Sequence, residues 1–316
     1  MMNLKNKMLD GIMGLCVGDA LGVPVEFLKR DELRKSPVTE MIGYGTYDLS
    51  PGSWSDDSSM TFALLDSLKA GLNYKDIMDK FANWFENGDY TPHGKCFDIG
   101  IGTRKSIFRY WDGKDPLQCG GYGELDNGNG SLMRILPVVF FLYFGHNKSI
   151  ISSDGMQIIH NISSLTHNHP RSLIACGIYI SIAFEIMIDQ YSLENSIQKG
   201  INNAKEFYEK DSRFSFELAS YKRIFEDDFK NLEEDKIKST GYVVDTLEAS
   251  IWCLLNTDSY EDAVLKGVNL GEDTDTTGAV IGGLAGLYYG YENIPEEWKK
   301  MIVKREWIEK LCDLKF

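Results

Sequence analysis

The stretch Leu173-Ile174-Ala175-Cys176-Gly177-Ile178-Tyr179-Ile180-Ser181-Ile182-Ala183-Phe184-Glu185-Ile186-Met187-Ile188 is the longest apolar run in the chain. It falls short of the ~20 residues a membrane span needs, and it contains Glu185. It reads as a core helix, apolar on every side because other helices surround it. Pro170 stands just before it, at a helix start where a missing N–H costs nothing.

Working outward, helical periodicity continues in both directions. Met8–Leu21 sets Leu9, Ile12, Met13, Cys16, Val17 and Leu21 on one broad face. Further helices are predicted over 59–70, 76–87, 131–144, 155–165, 193–208, 216–226, 245–256, 259–270 and 276–289. The run 131–144 is almost wholly apolar and is expected to be central. No stretch shows period-2 alternation between hairpin turns. No Pro-, Ser- or Gly-rich linker divides the chain, so one all-α domain over residues 1–316 is expected, a monomer by default.

Composition narrows the function classes. The chain has 33 Lys+Arg against 47 Asp+Glu, a formal net charge of −14. That balance argues against a nucleic-acid binder, which needs excess cations to displace counterions. None of the six cysteines forms a Cys-x-x-Cys pair, and their spacing fits no zinc pattern. Reduced thiols in a cytoplasmic protein are expected. Met1 to Lys7 lacks the apolar core of a signal peptide. The charged run 205–238 mixes both signs and reads as a solvated helical excursion. The 30 glycines imply close helix contacts or backbone exposed at a site.

Five segments carry chemistry. Gly52-Ser53-Trp54-Ser55-Asp56-Asp57-Ser58-Ser59 and Gly271-Glu272-Asp273-Thr274-Asp275-Thr276-Thr277-Gly278 each precede an apolar helix. Either segment alone is an adequate helix cap, since Ser, Thr and Asp accept from orphan N–H groups and suit the positive helix end. Together they supply four carboxylates at two helix starts, which repel unless cations sit between them. Their hydroxyl and carboxylate oxygens are ligands for Mg²⁺, Mn²⁺ or Ca²⁺, without the spacing of an EF-hand. Gly14 to Glu26 is a helix thinned by small residues that ends at Pro24, with Glu26 beyond it. Glu26 alone reads first as an ordinary surface acid, and second as an acid that reaches a cleft. Asn127-Gly128-Asn129-Gly130-Ser131-Leu132-Met133-Arg134 reads as a turn with a cap, or as backbone that cradles phosphate. Thr166-His167-Asn168-His169-Pro170-Arg171 holds two of the five histidines, more suited to a loop cap or ligand contact than to a metal.

Taken in order, these segments resemble the ADP-ribosylglycohydrolase family over nearly the whole chain. The resemblance rests on Gly-Asp-Ala-Leu-Gly-x-Pro-x-Glu ending at Glu26, Trp54-Ser55-Asp56-Asp57-Ser58, Asn129-Gly130-Ser131-x-Met133-Arg134, Thr166-His167-x-His169-Pro170, and Gly271–Thr277 with its glycine-rich helix. It implies an orthogonal helical bundle with two Mg²⁺ (or Mn²⁺) ions in a cleft. It implies hydrolysis of the glycosidic bond joining ADP-ribose to an acceptor, often arginine. The metal ligands then fall on Ser55, Asp56, Asp57, Asp273, Asp275 and Thr276. Catalytic acids fall on Glu26, Asp56 and Asp57, one of which orients or deprotonates water. Asn129, Gly130, Ser131 and Met133 fall at the substrate, with His167 or His169. Ser at positions 55 and 58 replaces a frequent Thr and keeps the oxygen. The partner is an ADP-ribosylated protein or a small ADP-ribosyl conjugate, with no membrane involved.

Two other readings compete with this one. A terpenoid-synthase-like enzyme also joins helices to Asp-rich Mg²⁺ motifs, but Asp-Asp-x-x-Asp needs an acid where Met60 and Thr61 stand. A non-catalytic relative of the same fold would have lost ligands, whereas every ligand position here keeps an oxygen.

Overall fold

A computed structural model describes residues 7–145, 152–188 and 192–313; the stretch Met1 to Lys7, without the apolar core of a signal peptide, lies outside them apart from Lys7. The described helices are α1 (Lys7–Gly22), α2 (Arg30–Leu33), α3 (Asp56–Lys69), α4 (Tyr74–Asn87), α5 (Ile101–Trp111), α6 (Pro137–Gly145), α7 (Ser153–Ser164), α8 (Pro170–Ile188), α9 (Leu193–Glu209), α10 (Ser212–Leu218), α11 (Val243–Leu255), α12 (Tyr260–Val268), α13 (Thr274–Tyr289), α14 (Glu296–Met301) and α15 (Arg305–Asp313). Short 3₁₀ turns join several of them. Among the described residues, β pairing is limited to isolated bridges at Gly121–His167 and Gly128–Tyr242. The chain is all-α, as its periodicity predicts.

The centre is an antiparallel pair, α1 and α13. Both are buried almost all round, as helices with no polar face must be. Glycines set their spacing. A Cβ at Gly18 would collide with the carbonyl oxygen of Gly278, and one at Gly14 with that of Gly282. A Cβ at Gly22 would strike the backbone of Asp275. Absent side chains let the two backbones touch, and that contact brings the end of α1 against the start of α13. The span Lys7–Val25 and α8 are each long and apolar enough to cross a membrane, yet both lie mostly buried inside the protein. For α8 that agrees with the core-helix reading.

Three predicted segments differ. The helix expected over 131–144 begins only at Pro137, after irregular turns. Proline disfavours helical backbone in the residue before it and donates no N–H, so it opens α6 instead of lying inside a longer helix. The helix expected over 216–226 is split between α10 and a 3₁₀ segment, Ala219–Phe225. Its buried residues Leu218, Tyr221 and Ile224 recur every three positions, the 3₁₀ period. Finally, the charged run 205–238 is not wholly solvated. It buries Phe214, Leu218, Tyr221, Ile224, Phe229 and Ile237 beneath its charges. Arg30 pins its far end by donating to the carbonyls of Glu234 and Ile237, both at 2.6 Å.

Candidate active site

Four chain segments converge where α1 ends and α13 begins. The loops on either side are stitched together, with Phe27 N donating to Glu272 O at 2.7 Å and Glu272 N to Leu28 O at 2.8 Å. Phe27 (φ 69°) and Glu272 (φ 65°) both take left-handed backbone to do this. The same crossing sets Glu26 beside Asp273 and Asp275.

Helix α3 arrives from a third direction, capped twice. Its own N-cap, Ser55, accepts from Asp57 N at 3.3 Å. The second cap comes from Asp19 on α1, whose carboxylate accepts from Ser55 N (2.9 Å), Ser58 N (3.0 Å) and Ser58 Oγ (2.6 Å). Asp19 is fully buried, and burial raises its pKa to about 6 against those donors. Asp19→Ala would orphan two helix-start N–H groups and is expected to destabilise the fold by ~2–4 kcal/mol. Asp19→Asn, which keeps one acceptor, should recover part of that. A melting temperature for Asp19→Ala within about 1 °C of wild type would remove Asp19 from this role.

The carboxylates form two triads that share Asp275. One oxygen each from Asp19, Asp57 and Asp275 lies within 4.8 Å of the others, and likewise for Glu26, Asp273 and Asp275. Around them, Asp57 Oδ2 accepts from Thr276 Oγ1 at 3.5 Å and from Ser55 Oγ at 2.9 Å. Asn129 Nδ2 donates to Asp273 Oδ2 at 2.8 Å. Burial raises the pKa values of Asp56, Asp57 and Asp275 well above the usual range, and neighbouring acids add to it: Asp98 for Asp56, Asp19 for Asp57, Glu26 for Asp275. Glu26 is pushed up to about 9, first by burial and then by Asp98. Tyr47 Oη donates to Glu26 Oε2 at 2.6 Å and fixes its carboxyl. Among the described residues no Lys or Arg forms an ion pair with these acids; the charge of buried Arg134 reaches Asp56 only from a distance.

A cleft of about 490 Å³ opens above the triads. Of the residues picked out in the sequence, Glu26, Asp56, Asn129, Gly130, Met133, His167, Asp273 and Thr276 line it. Ser55, Asp57 and Asp275 sit beneath its floor, fully buried. Ser131 does not face the cleft; its hydroxyl accepts from Ser163 Oγ at 2.9 Å and packs behind the turn. Residues 127–130 are held from three sides. Arg134, fully buried over the Phe81 ring at 4.9 Å, donates to Gly130 O. Asn129 N donates to Gly241 O at 3.1 Å, and Val243 N to Asn127 O at 3.1 Å. His167 stands behind the turn, its Nδ1 2.8 Å from Thr166 Oγ1. Burial and then Arg134 lower its pKa to about 3, so the imidazole is neutral. His169 points elsewhere, buried with Nε2 3.7 Å from exposed Glu124, beside the Arg171–Glu217 ion pair.

Sequence reading passed over two acids. Asp19 stands among small and apolar residues near the end of a helix buried almost all round, a place that demands buried partners. Asp98 lines the cleft from an irregular stretch with positive φ (46°), and no motif marks it. Burial raises its pKa as well.

The site can hold divalent cations. Asp57 Oδ1 and Asp275 Oδ2 are buried and lack any hydrogen-bond donor. Both triads offer only hard oxygens, the donor set that Mg²⁺, Mn²⁺ and Ca²⁺ prefer.

Comparison with known proteins agrees with this geometry. The family model described as ADP-ribosylglycohydrolase matches residues 1–316. The ADP-ribosylarginine hydrolase Tri1 of Serratia proteamaculans is 32% identical, across 98% of this chain and 79% of that protein. The ADP-ribosyl-[dinitrogen reductase] glycohydrolase of Rhodospirillum rubrum is also 32% identical, across 96% and 94%. A solved structure of an ADP-ribosylglycohydrolase-related protein complex superposes with a TM-score of 0.79 at 30% identity, covering 99% of this chain and 98% of that one. Matched from end to end in sequence and in fold, the chain belongs to the ADP-ribosylglycohydrolase family.

Proposed function

We propose that this enzyme hydrolyses the N-glycosidic bond between ADP-ribose and arginine side chains of proteins, using two divalent cations, Mg²⁺ or Mn²⁺. The observation that carries the reading is the pair of carboxylate triads meeting at Asp275 under a cleft of nucleotide-accommodating size. The arginine acceptor draws support from the Serratia relative, whose name specifies ADP-ribosylarginine.

Asp57, Asp273 and Asp275 would hold the cations, with Ser55, Asp56 and Thr276 completing the ligand set. When bound, divalent cations supply Lewis-acid polarisation and offset the carboxylate charge. Water attacks the anomeric carbon, the C–N bond breaks with its electron pair passing to guanidine, and a proton from water ends on that leaving group. The transition state is oxocarbenium-like, and flanking carboxylates stabilise it. Glu26 and Asp56 face the cleft whereas Asp57 lies beneath it. Orienting and deprotonating water therefore falls to Glu26 or Asp56. Asn129 and Gly130 receive the diphosphate with Met133 alongside, and Ser131 supports that turn from behind. Neutral His167 adds a hydrogen-bonding edge without a charge.

Further readings go with this one. The family match over residues 1–316 supports a single domain. Six unpaired cysteines suit the cytoplasm. The test is turnover of arginine-, serine- and nucleic-acid-linked ADP-ribose, each with Mg²⁺, with Mn²⁺ and with EDTA. Arginine conjugates are expected to release ADP-ribose only when a cation is present. Full activity in EDTA would sink the cation assignment, and faster turnover of serine conjugates would sink the acceptor.

A further inference from the structure

Helix α5 is built inside out. Its buried side carries only Thr103, Ser106 and Ile107. Its outer side carries Ile101, Arg104, Lys105, Phe108 and Trp111, all exposed. Spacings of three and four residues place these on one face. Phe108 and Trp111 are 45% and 46% exposed, too much for rings that serve only as core. With Phe85 beneath them they form a three-ring cluster, centroids 5.6–5.9 Å apart. Half-exposed aromatic clusters of this kind mark contact surfaces.

Two observations say what covers this face. It is continuous with the cleft, because Ile101 and Lys105 belong both to the stripe and to the cleft wall. At its other end Trp111 enters a groove of about 850 Å³ with Lys114 on its edge. Whatever lies along α5 therefore begins at the cleft proposed to take ADP-ribose. The stripe is also cationic on a chain of net charge −14. Residues 101–114 hold Arg104, Lys105, Arg109 and Lys114 against the single acid Asp112.

We propose that the outer face of α5 is a docking surface for the ADP-ribosylated polypeptide, taking apolar and acidic side chains that flank the modified arginine. Docking rests on the arginine-hydrolase reading. It predicts discrimination among protein substrates that share one ADP-ribosyl group.

The probes are free ADP-ribosyl-arginine and two synthetic peptides, each with one ADP-ribosyl-arginine, flanked either by Glu and Leu or by Lys and Ser. Wild type should favour the Glu/Leu peptide by about tenfold in kcat/KM. Phe108→Ser with Trp111→Ser, or Arg104→Glu, should erase that preference through KM. Turnover of free ADP-ribosyl-arginine should stay unchanged. Equal kcat/KM on both peptides in wild type overturns the proposal, as does a parallel loss on the free conjugate. Fluorescence anisotropy of the same labelled peptides without the ADP-ribosyl group reads docking without catalysis. Tighter binding of the Glu/Leu peptide, lost in the variants, supports docking even if free ADP-ribosyl-arginine is not hydrolysed and the activity reading fails. A wild-type dimer in light scattering that the variants dissociate would instead assign the face to a second copy and overturn the proposal.

Discussion

Asp275→Asn is expected to lower release of ADP-ribose from an arginine conjugate by roughly 10²–10³-fold, the usual loss when a central electrostatic group is removed. The metal-free protein is expected to melt at the same temperature as wild type or higher. The two effects have one cause. Asp275 belongs to both triads, so its charge is the one that both cation positions share. Its Oδ1 accepts from Thr276 N at 2.8 Å, a bond an Asn carbonyl keeps. Its Oδ2 is buried without a donor. An Asn amide there becomes a donor among carboxylates and is neutral at any pH, so folding no longer bears the cost of burying Asp275 as a carboxylate or of holding it protonated beside Glu26 and Asp57. Folding therefore gains while cation binding fails. Asp273→Asn touches one triad only and should cost less activity. Turnover, calorimetric Mn²⁺ titration and thermal melting of the three proteins check this together. An Asp275→Asn enzyme that keeps a tenth of wild-type turnover, or still binds two Mn²⁺ ions, contradicts the shared-ligand geometry.

The sequence disclosed the site unevenly, for physical reasons. Paired acids before apolar helices are a local pattern, and the two runs holding Asp56–Asp57 and Asp273–Asp275 were readable as a convergent site because both helices had to enter one core. The buried helices were equally plain, since α1, α8 and α13 are predominantly apolar over most of their length. Helix α5 was invisible: its inner face holds two hydroxyls and one Ile, so it has no inward apolar period. Asp98 comes to the cleft through tertiary folding alone, and nothing near it in sequence foretells that. The helix that fails at 131–136 was a different kind of miss. Pro137 was a visible stop signal, outweighed by the apolar content around it. Ser131 shows the limit of carrying residue roles by motif, since its neighbours reach the cleft while its own hydroxyl turns to Ser163.

Metal-free protein is expected to lose stability as pH rises from about 5.5 to 8.5, with the melting temperature falling by about 5–10 °C. The sign follows from proton counting. Asp19, Glu26, Asp56, Asp57, Asp98 and Asp275 all have folded pKa values above those of the unfolded chain, mainly through burial. Between the unfolded values, ~4 for Asp and Glu, and the folded ones, the native state binds more protons than the unfolded state. Unfolding free energy then falls as pH rises. The stabilising contribution is complete below ~4 and disappears upward through about 6 for Asp19 and about 9 for Glu26. Ion-paired acids nearer the surface act in reverse: Asp79, Asp211 and Asp235 have lowered pKa values and lose stabilisation only in stronger acid. Their opposition places the optimum of the metal-free protein on the acid side of neutrality. Cations compete with those same protons for the carboxylate oxygens, so Mg²⁺ should stabilise little at pH 5.5 and strongly at pH 8.5. Melting curves in EDTA and in millimolar Mg²⁺, taken across that range, should therefore diverge as pH rises. Two parallel curves would mean that these carboxylates hold no cation, and a melting temperature in EDTA that climbs with pH would mean that they are not buried as acids.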